Sequence, residues 1–454
     1  MPVNYNFNAG LLMNCVEIQA LDLQFNWHPC SQMKDYENFK PIVIKRAYDS
    51  YIELTNGKKI IDAIASWWCK SLGHNHPSLK KALLAQVEQF EHVIFANTTN
   101  ETIARLSQQL GTLMPGLNKV FYAGDGSCAV EIAMKMSLHT RMIEGASKRK
   151  KFIALKNGYH GETIGTLSVS DLGIYRDPYQ PLLFNPLFID PLYVANTEDP
   201  LWSDAADHWR SIEILLDAHK QSTTAIIVEP ILQGAGGMKI YSQDFLSRLS
   251  TWAKINNIHL IADEIMTGIG RTGKMLACEH AGINPDFICL SKGLTSGWMP
   301  FSVVLTTEKI YHVFYDEYET GKSFLHSHTY SGNALGASLA LATLETIKKE
   351  RLCDRANTLQ ITMQNHFRKI SQETGFLQNI RGIGALVAAD LVTSNHNRLG
   401  YRLYQEAMKL GALLRPLGNT IYWMPPLTIS DHTLSELQDI TARAITSIIS
   451  RDFR

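Results

Sequence analysis

Short apolar runs alternate with helical patterns from about residue 75 to about residue 340, and this alternation constrains the fold more than any other feature. Several runs are almost continuously apolar, as strands are when both faces of their sheet are covered. Helical patterns separate most of them, for example at 129–140 and 242–256. The sequence therefore predicts an α/β fold with a large, mostly parallel central sheet. The clearest predicted strands are 118–123, 151–156, 224–230, 258–264, 286–292 and 302–307.

The pattern is different at the two ends of the chain. Residues 43–64 are typical of a β-hairpin that turns at Asn56-Gly57. A long helical stretch from Ala334 to Lys349 leads into mixed helical and strand-like segments. We expect both ends to build one small α+β domain. The predicted divisions are 1–72 and 343–454 for the small domain and 73–342 for the large domain.

Charge and composition exclude several classes of protein. The 43 basic and 43 acidic side chains balance, so nothing favours binding to nucleic acid or to an anionic membrane. No apolar run reaches the length of about 18 residues that a membrane span needs. The first residues lack the basic and apolar segments of a signal peptide, and Met13 is an alternative start. The seven cysteines are dispersed without a CxxC pair, which predicts reduced thiols, a cytoplasmic location and no catalytic metal.

Two charged residues end neighbouring predicted strands. Asp263 lies at the end of the run 258–264, and Lys292 ends the run 286–292. Open α/β sheets bind ligands at the carboxyl ends of their strands. A carboxylate there can keep a pyridine nitrogen protonated, while a lysine can bond covalently to a cofactor and move protons. An ordinary surface ion pair would account for the same two residues.

Two glycine-containing turns also follow predicted strands. The turn Gly124–Ser127 precedes a helix, where free backbone N–H groups and the helix dipole favour a phosphate. The alternative is an ordinary turn with a serine N-cap, and Asp125 would repel a phosphate unless it points away. The turn 157–161 places Tyr159 where its ring could stack on a flat cofactor, although a tight turn with a core tyrosine fits equally well.

In their order along the chain, these motifs resemble the class III aminotransferases, which are pyridoxal-phosphate-dependent enzymes of fold type I. The resemblance extends over nearly the whole chain. It implies pyridoxal 5'-phosphate as the cofactor and transamination as the reaction. The motifs that carry it are GDGSCAVE, NGYHGET, EPILQGAGGM, LIADEIMTGIGRTG, LSKGL, HTYSGN and RPLGNTIYWMPPL.

The resemblance also implies roles for individual residues. Lys292 would be the catalytic lysine that binds the cofactor, and Asp263 would hold the proton on its ring nitrogen. Thr329 would reach the phosphate from the other subunit of a homodimer. Cofactor contacts are implied for Gly126, Ser127, Tyr159, Asp263, Lys292 and Thr329. Substrate contacts are implied for Trp67, Tyr159, Lys292, Ser327 and Arg415.

Arg415 has a second interpretation as a surface salt bridge, and either tryptophan of the Trp67-Trp68 pair could belong to the core. The paired arginine nitrogens suit a substrate carboxylate. Arg271 could be a second charge near the substrate or could stabilise its turn.

Two shorter motifs narrow the implied substrate. Trp27-His28-Pro29 and Ser66-Trp67-Trp68 are typical of family members that aminate 8-amino-7-oxononanoate in biotin biosynthesis, with S-adenosylmethionine as the amino donor. Cys30 stands where those members usually have a tyrosine that contacts the substrate.

Three alternatives stay open. The protein could be another ω-aminotransferase or a synthase that uses lysine as donor, or an aminomutase of the same fold. A non-catalytic descendant would be expected to lose Lys292 or Asp263, and both are present.

Overall fold

The structure of the chain is a computed structural model that describes residues 13–392 and 398–452. Its described residues form four β-sheets surrounded by helices. The strands are β1 (Ile44–Tyr48), β2 (Tyr51–Leu54), β3 (Lys59–Asp62), β4 (Lys119–Ala123), β5 (Lys151–Leu155), β6 (Leu187–Ile189), β7 (Thr223–Val228), β8 (Leu232–Gln233), β9 (Lys239–Ile240), β10 (His259–Asp263), β11 (Phe287–Leu290), β12 (Ser302–Thr306), β13 (Leu377–Gly382), β14 (Val387–Leu391), β15 (Ala412–Leu413) and β16 (Thr420–Trp423).

The helical segments vary in length from single turns to 23 residues. They are α1 (Cys15–Phe25), α2 (Ala65–Trp68), α3 (Pro77–Val87), α4 (Glu101–Gly111), α5 (Gly126–Ile143), α6 (Ile164–Ser168), α7 (Gly173–Arg176), α8 (Pro200–Ser203), α9 (Ala206–Asp217), α10 (Gln243–Ile255), α11 (Glu308–Phe314), α12 (Ala334–Lys349), α13 (Leu352–Thr374), α14 (Leu399–Leu410) and α15 (Asp431–Asp452). Short 3-10 turns include Ala277–His280 and Lys292–Thr295.

The central sheet has seven strands in the order β4-β12-β11-β10-β7-β5-β6. Only β12 runs against the others, since it pairs antiparallel with both β11 and β4. The predicted α/β fold with a mostly parallel sheet is therefore confirmed. Each of the clearest predicted strands forms a strand of this sheet, whereas the short edge strand β6 was not anticipated.

The central sheet is buried on both faces, as its apolar strands predict. Along β10, Leu260 and Ala262 belong to one hydrophobic core, while Ile261 between them belongs to another. Successive side chains of a strand point to opposite faces, so the two cores lie on opposite sides of the sheet. Helix α5 covers one face through residues such as Ile132, and α10 covers the other through residues such as Leu249.

The two ends of the chain meet in one small sheet. Strand β15 pairs parallel with β3 and completes the four-stranded sheet β1-β2-β3-β15. The predicted hairpin is present as β2 and β3, and β1 adds a further antiparallel strand to it. A three-stranded sheet, β13-β14-β16, comes from the C-terminal part alone. The domain boundaries after residues 72 and 342 stay predictions, and the first twelve residues of the N-terminal division lie outside the described residues.

Candidate active site

The carboxyl ends of three adjacent parallel strands supply the charged groups of one cavity. Glu229 follows β7, Asp263 ends β10, and Lys292 begins the 3-10 turn after β11. The in-register pairing of β10 with both neighbours places these ends at the same edge of the sheet. All three side chains line a cavity of about 170 Å³. The structure thus brings together the carboxylate and the lysine that the sequence singled out.

The carboxylate of Asp263 is held in one orientation. It is 4% exposed, and its Oδ2 lies 2.8 Å from Nδ1 of His160. Its Oδ1 accepts the backbone N–H of Ile265 at 3.1 Å. The ring of His160 is buried, and its Nε2 has no hydrogen-bond partner among the described residues. With Nδ1 of His160 donating to it, the Asp263 carboxylate keeps one orientation and can still accept a hydrogen bond from a further donor.

The amine of Lys292 is held without an anionic partner. Lys292 adopts the left-handed backbone region at φ +41°, and within the described residues its side chain forms no ion pair. Its Nζ lies 5.2 Å from the ring centroid of Trp68. Burial lowers the pKa of Lys292, while the nearby carboxylates of Asp263 and Glu229 oppose that shift. A lowered pKa favours the neutral amine, which is the nucleophilic and basic form.

Glu229 ties two loops to the end of β7. Its Oε2 accepts the backbone N–H of Tyr159 at 2.9 Å, and its Oε1 accepts that of Gly234 at 3.0 Å. Burial raises the pKa of Glu229 to about 7, and the neighbouring His160 moderates the rise. The carboxyl group of Glu229 therefore changes charge close to neutral pH.

The N-terminus of α5 opens onto the same cavity through Gly126 and Ser127. The N-cap is Asp125, whose Oδ1 accepts the backbone N–H of Cys128 at 3.0 Å. The alternative of a serine N-cap is therefore not what the chain adopts. Asp125 also lines the cavity, where its carboxylate is engaged with the backbone of the helix that it caps.

Two glycines leave room beside this helix end. A Cβ on Gly126 would come within 2.9 Å of the Ile265 side chain. A Cβ on Gly161, which has φ +127°, would lie 2.2 Å from Oγ of Ser127. Larger residues at these positions would displace the Ser127 hydroxyl or the cavity wall. The long helix with its N-terminal amides and a hydroxyl is suited to a phosphate group.

Tyr159 lines the cavity, and its hydroxyl donates to Oε1 of Glu162 at 3.0 Å. Burial raises the pKa of Tyr159, so the phenol stays protonated. Thr329 and Ser327, by contrast, are exposed and do not line the cavity. A single chain therefore does not bring these two predicted residues to the site.

A second cavity, of about 710 Å³, contains Arg398 and Arg415. Arg398 is neutralised by two hydrogen bonds to the carboxylate of Asp35, at 2.9 and 2.6 Å. Arg415 donates to the carbonyl oxygen of Cys30 at 3.0 Å, and its guanidinium lies 3.9 Å from the ring centroid of Trp67. It has no carboxylate partner in the described part of the chain. The uncompensated positive charge of this cavity thus belongs to Arg415.

The tryptophan pair lies in a left-handed turn, α2. Residues Ala65, Ser66, Trp67 and Trp68 have φ angles of +48°, +44°, +70° and +74°. Left-handed helical backbone costs about 1–2 kcal/mol for each residue with a side chain. Trp68 is buried and lines the cavity of Lys292, whereas Trp67 contacts Arg415.

Sequence reasoning missed two residues of this site. It named Trp67 for the substrate pocket, which stays a prediction, and it gave no role to Trp68, which lines the cavity of Lys292. It quoted His160 within a motif and gave it no role, because nothing in the local sequence indicates a contact with a carboxylate 103 residues away. Arg271 lies outside both cavities and binds the backbone carbonyls of Ala385 and Pro425.

The described residues contain neither a candidate metal-binding cluster nor a candidate membrane-spanning helix. Among residues 13–392 and 398–452, no group of three or more His, Cys, Asp or Glu side chains could hold a metal ion. None of the helices in those ranges is long and apolar enough to cross a lipid bilayer.

Comparisons with known proteins agree with this geometry. The family model for class-III aminotransferases matches residues 32–445. The adenosylmethionine-8-amino-7-oxononanoate aminotransferase of Helicobacter pylori is 42% identical over 91% of this chain and 94% of its own length. The enzyme of that name from Geobacter sulfurreducens is 34% identical over 94% and 97%.

Solved structures show the same relationship. The adenosylmethionine-8-amino-7-oxononanoate aminotransferase of Methanocaldococcus jannaschii superimposes with a TM-score of 0.88 at 33% identity, over 95% of this chain and 98% of that one. An ω-transaminase of Pseudomonas jessenii in complex with PMP gives a TM-score of 0.88 at 25% identity, over 95% and 98%. The chain belongs to the class-III aminotransferase family.

Proposed function

We propose that the protein is a pyridoxal-phosphate-dependent aminotransferase that converts 8-amino-7-oxononanoate to 7,8-diaminononanoate in biotin biosynthesis, with S-adenosylmethionine as amino donor. The observation that carries the proposal is the cavity itself. It places an amine without an anionic partner, Lys292, and an oriented carboxylate, Asp263, at adjacent strand ends. The printed names of relatives that match almost the whole chain supply the substrates.

The residues present fit pyridoxal phosphate. Gly126, Ser127 and the amides of the α5 N-terminus would hold the phosphate, and Asp263 would hold a proton at the ring nitrogen. Tyr159 would lie against the ring. When bound, the cofactor supplies a carbonyl that takes the amino group and a protonated ring that accepts electrons from the reacting carbon.

The chain's own residues then move the protons. The neutral amine of Lys292 would take the proton from the reacting carbon of the donor and, as its conjugate acid, would give it to the carbon that receives the amino group. The negative charge of the Asp263 carboxylate would keep the ring nitrogen protonated, and the contact with His160 holds that carboxylate in one orientation. The two substrates use the same cavity in turn, so the residues around it contact both.

Arg415 would recognise the carboxylate of the keto substrate. Its charge is not neutralised by the described chain, unlike that of Arg398 in the same cavity. A guanidinium makes two parallel hydrogen bonds to a carboxylate, so Arg415 would hold that end of the long substrate while its reacting end lies at Lys292.

The proposal includes a homodimer in which Thr329 and Ser327 reach the partner's site. Thr329 is exposed in its own chain, and its carbonyl oxygen contacts Nε2 of His92 at 2.9 Å. The two segments joined there expose apolar side chains, with Ile94 at 64% and Leu325 at 87% exposure. The proposed dimer would cover these exposed apolar side chains.

The proposed location is the cytoplasm. All seven cysteines are free thiols in the structure, which suits a reducing compartment.

The spectrum of the purified protein tests the function. The wild type should show a visible band from the cofactor bound at Lys292, and Lys292→Ala should lose both that band and transamination. S-adenosylmethionine should bleach the band and lysine should not, while 8-amino-7-oxononanoate should restore it. A fully active Lys292→Ala variant would overturn the assignment. Bleaching by lysine and not by S-adenosylmethionine would show that lysine is the amino donor.

Subunit mixing tests the dimer. Lys292→Ala and Thr329→Ala each remove a different part of the site. If Thr329 acts across the interface, mixed dimers form one intact site and regain activity that neither variant has alone. No recovery after confirmed subunit exchange would place Thr329 outside the partner's site.

A further inference from the structure

The left-handed turn α2 carries both tryptophans of the site, and a buried carboxylate holds it. Asp62 is the last residue of β3, and its side chain is fully buried. Its Oδ1 accepts the backbone N–H of Ser66 at 3.0 Å, and its Oδ2 accepts the Ser66 hydroxyl at 2.7 Å. Nε2 of His74 lies 2.8 Å from the same Oδ2. Both oxygens are thus committed to the turn and to the histidine beside it.

His74 is itself fixed by the backbone. Its N–H donates to the carbonyl oxygen of Asp49 at 2.7 Å, and its carbonyl accepts the N–H of Asp49 at 3.0 Å. The dyad of Asp62 and His74 therefore joins a rigid strand end to the strained residues. Strained backbone persists only where its surroundings determine it, and it concentrates at functional sites.

We infer that Asp62, supported by His74, is a positioning residue for substrate recognition, because it fixes the left-handed turn that holds Trp67 against Arg415. The inference rests on the proposed function, in which Arg415 binds the carboxylate of the keto substrate. Trp67 is held by the turn and by its stacking on Arg415. Trp68 has an additional anchor, since its Nε1 donates to the hydroxyl of Tyr422 at 3.0 Å.

This difference between the tryptophans predicts a split between kinetic constants. Asp62→Asn should raise the KM for 8-amino-7-oxononanoate by about tenfold, which corresponds to the free energy that a hydrogen bond to a charged group contributes. The kcat should change little, because Trp68 and Lys292 keep their places. Glu53→Gln is the matched control, since Glu53 is a buried carboxylate of the same small sheet that pairs with Arg46. It should leave the KM unchanged.

A glycine rescue separates this role from a general loss of stability. Ala65 has φ +48°, and glycine adopts that region without a Cβ penalty. Asp62→Asn combined with Ala65→Gly should therefore recover most of the KM. Ala63→Gly is the control, because Ala63 is equally buried and is not among the residues with positive φ. It should not rescue.

Acrylamide quenching of Trp67 follows the turn without any substrate. The quenching of Trp67 is obtained by subtracting the fluorescence of the same protein with Trp67→Phe from that of each variant. Quenching should rise in Asp62→Asn, return in the double variant with Ala65→Gly and stay constant in Glu53→Gln. If the enzyme used another acceptor, the proposed function would fail while this readout still tested the turn.

The inference is overturned if folded Asp62→Asn keeps both the KM and the quenching of Trp67 within about twofold of wild type. It is also overturned if Ala63→Gly rescues as well as Ala65→Gly. Should Asp62→Asn not fold, Ser66→Ala decides. It removes the hydroxyl that donates to Asp62 and lies 3.4 Å from Nε2 of His74, so the KM and the quenching of Trp67 should both rise, and unchanged values would overturn the inference.

Discussion

Replacing Gly161 by alanine should weaken cofactor binding by displacing one hydroxyl. The added Cβ would lie 2.2 Å from Oγ of Ser127, whereas ordinary contacts begin near 3.4 Å, so the hydroxyl has to shift by about 1 Å. That shift removes a hydrogen bond to a charged phosphate, which contributes about 1.5–3 kcal/mol. With about 1.4 kcal/mol for each factor of ten, the Kd for pyridoxal phosphate should rise roughly ten- to a hundredfold.

The measurement is a titration of cofactor-free protein with pyridoxal phosphate, followed by visible absorption. Gly145→Ala is the matched control at the other end of α5. It also has a positive φ, of +75°, but its Cβ would meet nothing within 4 Å. Both variants should lose about 1–2 kcal/mol of folding free energy to backbone strain, and only Gly161→Ala should lose cofactor affinity. An unchanged Kd in folded Gly161→Ala, or an equal loss in the control, would refute the placement of the phosphate.

Further substitutions test the other residues of the two cavities. Asp263→Asn should bind the cofactor but slow proton abstraction at least about tenfold in single-turnover kinetics, since a neutral amide cannot hold a proton on the ring nitrogen. Arg415→Ala should slow turnover of the keto acid about ten- to a hundredfold. Arg398→Ala should not, because Asp35 already neutralises that charge. Equal losses in the two variants would mean that Arg415 does not bind the substrate carboxylate by itself. Burial raises the pKa of Glu229 to about 7, so its carboxyl group should lose its proton near pH 7 as the pH rises. The visible absorption of the bound cofactor should therefore change with a midpoint near pH 7, and Glu229→Gln should abolish that change.

The sequence predicted the central sheet well because its strands are buried on both faces. A strand such as β11 is apolar at every position, and its run ends just before Ser291 and Lys292. Strand β6 has three residues at the sheet edge, and so short a segment carries no periodicity to recognise. The direction of β12 was equally hidden, since an antiparallel strand inside a two-faced sheet has the same apolar pattern as a parallel one.

The residues of the candidate site were predictable where they follow directly on the end of a predicted strand. Asp263 and Lys292 follow that rule, and so does the glycine turn before α5. The dyad of His160 and Asp263 depends on tertiary contact alone. The left-handed turn was also invisible, because its residues carry no glycine, and glycine is the usual signal for positive φ.

The tryptophan pair places two indole rings beside two basic groups that need different surroundings. Lys292 has to be neutral to act as a base, and burial lowers its pKa although the carboxylates of Asp263 and Glu229 lie nearby. Trp68 lines the cavity that buries this amine, with its ring centroid 5.2 Å from Nζ. Arg415 has to stay charged and available to a substrate carboxylate, and the ring of Trp67, 3.9 Å away, attracts the guanidinium without neutralising it. Two adjacent residues can serve both groups only if their backbone is held in one conformation, which gives the strained turn a function at this place.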